Sequence, residues 1–410
     1  MQPTIVKAKQ PQDFLALVPQ LSGFVPQNSV VIVAFRGTRT CGALRFNLPD
    51  LDLSEAVYKR IATTIVGTLC KLSGVDAVVP VIYTDEKFGA SDGLPHQRFA
   101  TIMLSRIDLS GFGIRDALCV GSDGWGSFLD QDCPHTGRPL SAIAQSPLHA
   151  ELPDGLPTPG TLLSRADLPE VGRADKERFG RIYRRYLSAV RAPDTAMALI
   201  DTLTDLLDPV ELAELALGWN PDDLVADEAA ALLLLVQSPP SRDQIMLQFA
   251  FGREQGIKAH LLNQRYAAIQ RVTGQSMDEI VRDELEARDA AAGGSAASSP
   301  ELDGRSAADL GSDLILGMTD ERPDPERVER ALTLLKRVVA LAPKAARPAP
   351  LCILAWLSWA LGRGSVGGMF LDRALAIDPG YSMALLLNTL FSSGHLPEWA
   401  FAEQTGGNAR

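Results

Sequence analysis

The stretch SVVIVAFRG at 29–37 decides how the first third of the chain is read. Val30 to Phe35 are all apolar and mostly β-branched, and Gly37 stops the run. Apolar and polar residues do not alternate, so both faces of this strand call for burial, as in a sheet covered on both sides. Just after it, TCGALRFNL (40–48) follows a short Arg-Gly-Thr turn, which predicts an antiparallel hairpin. Before it, PQDFLALVPQLSGF (11–24) reads as a short helix ending near Gly23. SEAVYKRIATTIVGTLCKL (54–72) opens on Ser54, a natural N-cap, and places Val57, Ile61, Ile65 and Leu69 on one helical face. DAVVPVIYTD (76–85) is a second buried strand, and Pro80, which cannot donate to a ladder, belongs at a bulge or near an edge. HQRFATIMLSRIDLSG (96–111) reads as a helix. IRDALCVGSDGWGSFLD (114–130) reads as two strands turning at Ser122-Asp123-Gly124. This order predicts an α/β N-terminal domain over 1–138, a mixed sheet with helices packed on it.

Beyond it, 139–172 is rich in proline and glycine and reads as a connector or an extended edge over the sheet. Helical periodicity then dominates 173–289, with a break expected at Pro209 and a helix start at Ser241. The Ala/Gly/Ser segment within 290–308 is the clearest linker in the chain. An all-α tail at 309–410 follows, in which 348–381 resembles a tetratricopeptide repeat. In that resemblance Ala355 and Gly367 fall where two helices approach closely, Leu371 and Ala374 pack the second helix, and Pro379 closes the unit. The preceding helix places Ala331 and Val338 comparably and closes at Pro343. Two such units are fewer than the roughly three a solenoid needs, so they are expected to pack on another domain.

Composition narrows the classes. Apolar residues make up 46% and charged residues 22% of the 410, an ordinary globular balance. The net charge of -11 is uneven: ten acidic residues and no Lys or Arg lie between Arg191 and Arg242. That argues against a nucleic-acid groove in this segment, since phosphate binding needs clustered cations. The five cysteines (Cys41, Cys70, Cys119, Cys133, Cys352) form no CxxC pair, which argues against a zinc ribbon or a disulfide framework. The opening MQPTIVKAKQ has no apolar signal core, and EAAALLLLVQ (228–237) falls short of the about 20 residues a membrane span takes. A cytoplasmic protein without membrane contact is expected.

Chemistry concentrates in DQDCPH at 130–135. Asp130, Asp132, Cys133 and His135 are candidate catalytic residues, and Cys133 with His135 are candidate metal ligands. Structural zinc draws four ligands from two separated pairs, and only one pair is visible, so no metal or cofactor is expected. Cys119 reaches Cys133 only if the loop folds back on the hairpin. A nucleophilic Cys133 needs His135, His149 or His96 within hydrogen-bond reach. The competing reading is a rigid structural turn, with Asp123-Gly124 at its tip and Trp125 and Phe128 packing inward. GFGIRDALCVGSDGWG is neither a phosphate-binding loop nor a dinucleotide fingerprint. Lys176, Arg178, Arg181, Arg184 and Arg185, interleaved with Phe179, Tyr183 and Tyr186, offer a nucleic-acid stripe, an aromatic core face, or a mate for the acidic helices at 194–228. Trp356 and Trp359 read as repeat core, and with Arg363 they are also the candidate partner-binding residues of the tail.

Laid in order, DFLALVPQLSGFVPQNSVVIVAFRG, DAVVPVIYTD, RDALCVGSDGWGSF, DCPHTGRPL and LDRALAIDPGY resemble an actinobacterial family catalogued as domain of unknown function 4192. The resemblance covers almost the whole chain and rests on the order of these segments. It implies an actinobacterial or actinophage source and a cytoplasmic location, and no established activity. Its members tend to carry more than one cysteine before the proline of the loop; here only Cys133 stands there, so a thiolate metal site does not carry over. The sequence supports a protein-binding or scaffold module acting through its helical C-terminal part. The alternatives are a hydrolase or nuclease-like enzyme at 121–140 and, more weakly, nucleic-acid binding through 176–191.

Overall fold

Ser29–Arg36 forms strand β1, whose residues are buried from Ser29 to Phe35, at the heart of a mixed sheet. The computed structural model describes residues 6–89, 93–152, 160, 162–191, 208–276, 279–280, 282–283, 286 and 307–401. They fall into two compact units, one extending to Arg165 and one beginning at Ala166. The expected linker lies outside the described residues over 290–306.

In the first unit helix α1 (Pro11–Ser22) precedes β1, and β2 (Arg39–Asn47) returns antiparallel beside it, as the hairpin reading requires. Helix α2 (Glu55–Leu69), strand β3 (Ala77–Tyr83) and helix α3 (Gln97–Leu109) follow. Three short strands complete the six-stranded sheet: β4 (Gly113–Ile114), β5 (Leu118–Val120) and β6 (Trp125–Ser127). The order is β2-β1-β3-β5-β6, with β4 also on β3. β3 runs antiparallel to β1 and parallel to β4 and β5. Helices α2 and α3 cover one face through Tyr58, Ala62, Ile65, Phe99, Met103 and Ile107. On the other face Leu15 and Val18 of α1 pack on Val31, Val33, Val79 and Trp125. The uniform burial of β1 and β3 has this two-sided cover as its cause.

Three local readings need correction. Pro80 sits in a central strand, not at a bulge or outer edge. Arg115 donates its backbone N–H to Val78 O and Thr84 donates to Val120 O, so β3 turns every second residue, Pro80 among them, toward β4 and β5. Pairing there stops at Val78 and resumes at Val81, so the missing N–H falls in a gap between partners. The inner face of α2 is also rotated: Tyr58, Ala62, Ile65 and Leu69 are buried, while Val57 and Ile61 are half-buried. Tyr58 takes the core position because its hydroxyl reaches out to donate to the carbonyls of Asp50 and Leu51. Among the described residues after the sheet lie short helices in place of an extended edge: α4 (Ser141–Ala144), α5 (Leu148–Glu151) and α6 (Leu162–Ala166).

The second unit is helical. Its elements are α7 (Arg173–Arg191), α8 (Pro209–Leu217), α9 (Ala226–Leu235), α10 (Pro239–Phe251), α11 (Arg253–Thr273), α12 (Ala307–Leu316), α13 (Pro325–Leu341), α14 (Pro348–Ala360), α15 (Gly364–Leu375) and α16 (Ser382–Ser392). Pro209 starts α8 behind a capping Asp208, whose carboxylate accepts from the N–H groups of Val210 and Glu211. α10 begins at Pro239, ahead of the expected Ser241, because two prolines fit the first turn where N–H groups go unused. Gln248 donates to Val210 O and to Glu214, and Arg327 grips Glu214 with both guanidinium ends, tying α8, α10 and α13 together. α14 and α15 approach closely: a side chain at Gly367 would lie 2.7 Å from Ala355 O, the contact expected for that pair. No helix among the described residues is long and apolar enough to cross a membrane.

Candidate functional site: the pocket beside the 121–140 hairpin

β5 and β6 pair Leu118 with Ser127, Cys119 with Gly126 and Val120 with Trp125, and Gly121 N–H to Gly124 O closes the turn. The tip is clamped from outside. Ser122 donates its N–H to Glu86 O, and Asp123 Oδ1 accepts from Phe88 N–H at 2.9 Å. Asp123 is therefore an anchor of the turn.

After β6 the chain folds back on the hairpin. Asp130 Oδ1 accepts from Asp132 N–H at 2.9 Å, and Arg138 exchanges both backbone hydrogen bonds with Trp125. The Arg138 guanidinium lies 5.4 Å from the Trp125 ring centroid and pairs with Asp130. Trp125 Nε1 donates to Pro139 O. The hydrogen bond from Arg138, with the one from Asp132 N–H, holds the Asp130 carboxyl below the usual carboxylate range.

This fold-back brings Cys133 onto the hairpin: a side chain at Gly126 would lie 2.5 Å from Cys133 Sγ. Gly126 is the cross-strand partner of Cys119, so the Cys133 sulfur lies on the same face as Cys119, the one covered by α2 and α3. Burial pushes the Cys119 thiol well up, and Cys133 adds to the effect. Cys119 is buried, Cys133 is half-buried and both are free. His135 is exposed, with its ring beside Gly89. The sulfur of Cys133 turns toward its neighbour Pro134 O rather than to an imidazole. His149 is bonded to Ile143 O, and His96 contacts Thr84 Oγ1 with its ring pushed toward the neutral form by burial. No described histidine thus stands as base to Cys133. No group of three or more His, Cys, Asp or Glu that could hold a metal occurs among the described residues.

The structure instead opens a pocket on the opposite face, of about 420 Å³. The amino end of α1 (Gln10, Pro11, Gln12) forms one wall, and Arg115, Asp116, Trp125 and Ser127 form the floor. Leu129, Asp130 and Arg138 close it. Asp130 is the one sequence-predicted site residue that lines it; Asp132, Cys133 and His135 do not. Ser127 Oγ donates to Asp116 Oδ1 at 2.5 Å, and Ala117 N–H donates to the same oxygen. Arg115 stacks 4.3 Å from the Phe35 ring centroid and donates to Gly37 O. Arg115, Asp116 and Ser127 were missed because they lie on separate strand ends with no motif spacing. Their one sequence signal is polarity interrupting the apolar runs.

The other candidates are differently placed. Trp356 and Trp359 are buried, and their indoles donate to Ile315 O and His395 O. Trp359 stacks on Phe391 and His395 and meets Trp399 edge-on, so these rings are packing rather than surface. Arg363 pairs with Glu329. On α7, Phe179, Tyr183 and Tyr186 are buried, so none offers a face to a nucleobase. Arg185 and the Tyr186 hydroxyl both bind Asp227 of α9, the pairing with the acidic segment that the sequence allows.

A mixed-sheet unit with a polar pocket at a hairpin, followed by a helical unit, is the class these features define. The chain belongs to the family described as Domain of unknown function (DUF4192), whose model matches residues 11–264 and 254–398. No curated protein matches, and no solved structure does.

Proposed function

We propose that this is a cytoplasmic binding protein that docks a protein partner through its helical unit, whose α13–α16 pairs are tetratricopeptide-like. The observation that carries the reading is on α11. Ile257, Leu261 and Val272 are 40%, 58% and 87% exposed, and Ala268 is exposed between them. Their spacing of four, seven and four residues sets them along one helical stripe. α11 buries its other side against α8, α10 and α12. An apolar stripe at helical spacing, ringed by Lys258, Gln264 and Arg265, has the composition of a helix-in-groove contact. Leu261→Asp with Val272→Asp should leave the melting temperature unchanged and abolish retention of a partner that wild type holds stoichiometrically on affinity purification. A wild type that retains no reproducible partner, or a variant that keeps it, ends the reading.

The enzyme reading keeps one supporting observation: the pocket sets Asp116 and Asp130 among the same lining residues. Both carboxylates are hydrogen-bonded, and Arg138 holds Asp130 below the usual carboxylate range, so Asp130 is not a proton donor at neutral pH. Hydrolysis of bis-p-nitrophenyl phosphate or p-nitrophenyl acetate that Asp116→Asn abolishes would restore this reading; turnover indifferent to that change would remove it.

A further inference from the structure

The geometry points to the pocket between α1 and the hairpin as a binding site for a free α-amino acid, a ligand joining a carboxylate to an ammonium group. The lining sets cationic and anionic groups side by side: Arg115 and Arg138 against Asp116 and Asp130. A dianion such as phosphate would meet two carboxylates there, and a bare cation two guanidiniums. A zwitterion matches both signs at once.

The donor side is built from three elements. α1 opens at Gln10 without a side-chain cap, and its first residues Gln10, Pro11 and Gln12 line the pocket, while the buried Asp13 of the first turn is engaged by Ser146. Arg138 is fixed before any ligand arrives by its backbone pairing with Trp125, its stacking on that ring and its bond to Asp130. Arg115 spends one nitrogen on Gly37 O and sits over the Phe35 ring, 4.3 Å from its centroid, which leaves the rest of its fork for a carboxylate.

The acceptor side is Asp116. Its Oδ1 takes the bonds from Ser127 and Ala117 N–H, and both bonds fix the carboxylate in place. Oδ2 is left to receive an ammonium group. At about 420 Å³ the pocket is at the small end of ligand sites and has room for an amino acid. Gln10 and Gln12 add amides at the mouth for a polar side chain. This proposal concerns the first unit and is independent of the docking stripe on α11.

The test is isothermal titration of the full chain with glycine, L-alanine, L-serine and L-glutamine, alongside propionate, ethylammonium and inorganic phosphate. At least one amino acid should bind saturably and at least about tenfold tighter than propionate, ethylammonium or phosphate, the size of a lost charge-assisted hydrogen bond. Arg115→Ala should weaken it by a similar factor, and Asp116→Asn should erase the preference over propionate. Should Asp116→Asn fail to fold, Arg115→Lys decides, since the exposed Arg115 can lose its fork without disturbing the core. Absence of saturable binding, phosphate as the tightest probe, or affinity unchanged in both Arg115 variants would overturn the proposal.

Discussion

The hairpin loop at 121–140 and the tryptophan cluster around Trp359 both gather rare residues into short stretches, and the fold uses them in opposite ways. Around the loop, polar groups are held in place: Asp130 by Arg138 and Asp116 by Ser127 in the lining of a pocket, and Asp123 by Phe88 N–H at the hairpin tip. In the cluster, Trp356, Trp359 and Trp399 are buried, and each indole N–H reaches a carbonyl, so the polar atom of each ring is satisfied inside. The first arrangement can exchange water for a ligand; the second has excluded both. Residue rarity therefore signals a site only where polar groups remain at a surface with space in front of them.

That contrast can be broken from the core side first. Trp359→Ala removes a ring that touches Trp356, Phe391, His395 and Trp399 and should cost the helical unit about 3–5 kcal/mol in urea unfolding. A loss below about 0.5 kcal/mol would place the ring at a surface. Next is the close approach inside the hairpin. Gly126→Ala should cost about 1–3 kcal/mol because the new methyl meets the Cys133 sulfur. Adding Cys133→Ala should recover part of that loss, and strict additivity would show that the loop does not fold back.

The smallest effect is electrostatic. Because Arg138 depresses the Asp130 carboxyl in the folded chain, the associated stability is present above the carboxylate pKa of the unfolded chain. It is lost as pH falls through the folded value. Arg138→Gln should therefore lower the unfolding midpoint slightly at neutral pH, leave it unchanged well below about pH 4, and so flatten the acid limb between them. An unaltered acid limb would mean that the pair does not form in solution.

The strands were legible because two-sided burial writes itself as unbroken apolar runs, as in Val30–Phe35 and Ala77–Tyr83. The close contact of Gly367 with Ala355 was legible because only small residues allow it. The face of α2 was misjudged by one position, since Tyr58 counts as half polar until its hydroxyl is seen to reach two carbonyls at the helix start. Of the site, Asp130 was visible in DQDCPH, but its partner Arg138 sits eight residues away across a fold-back that no periodicity announces. Arg115 and Asp116 come from before the hairpin, and Gln10 and Gln12 from the far end of the unit's sequence. A pocket assembled from such distant pieces has no local pattern; only the strand pairing brings them together.

The central claim, an open polar pocket beside Trp125 and a closed core around Trp359, is tested most directly by the indole N–H signals of the five tryptophans. These are followed by nitrogen-15 NMR during titration with the tightest amino acid of the series and assigned through Trp125→Phe and Trp359→Phe. The Trp125 signal should shift with saturation while those of Trp356, Trp359 and Trp399 stay fixed. Movement of the Trp356, Trp359 or Trp399 signals, or a Trp125 signal that never moves, would contradict it.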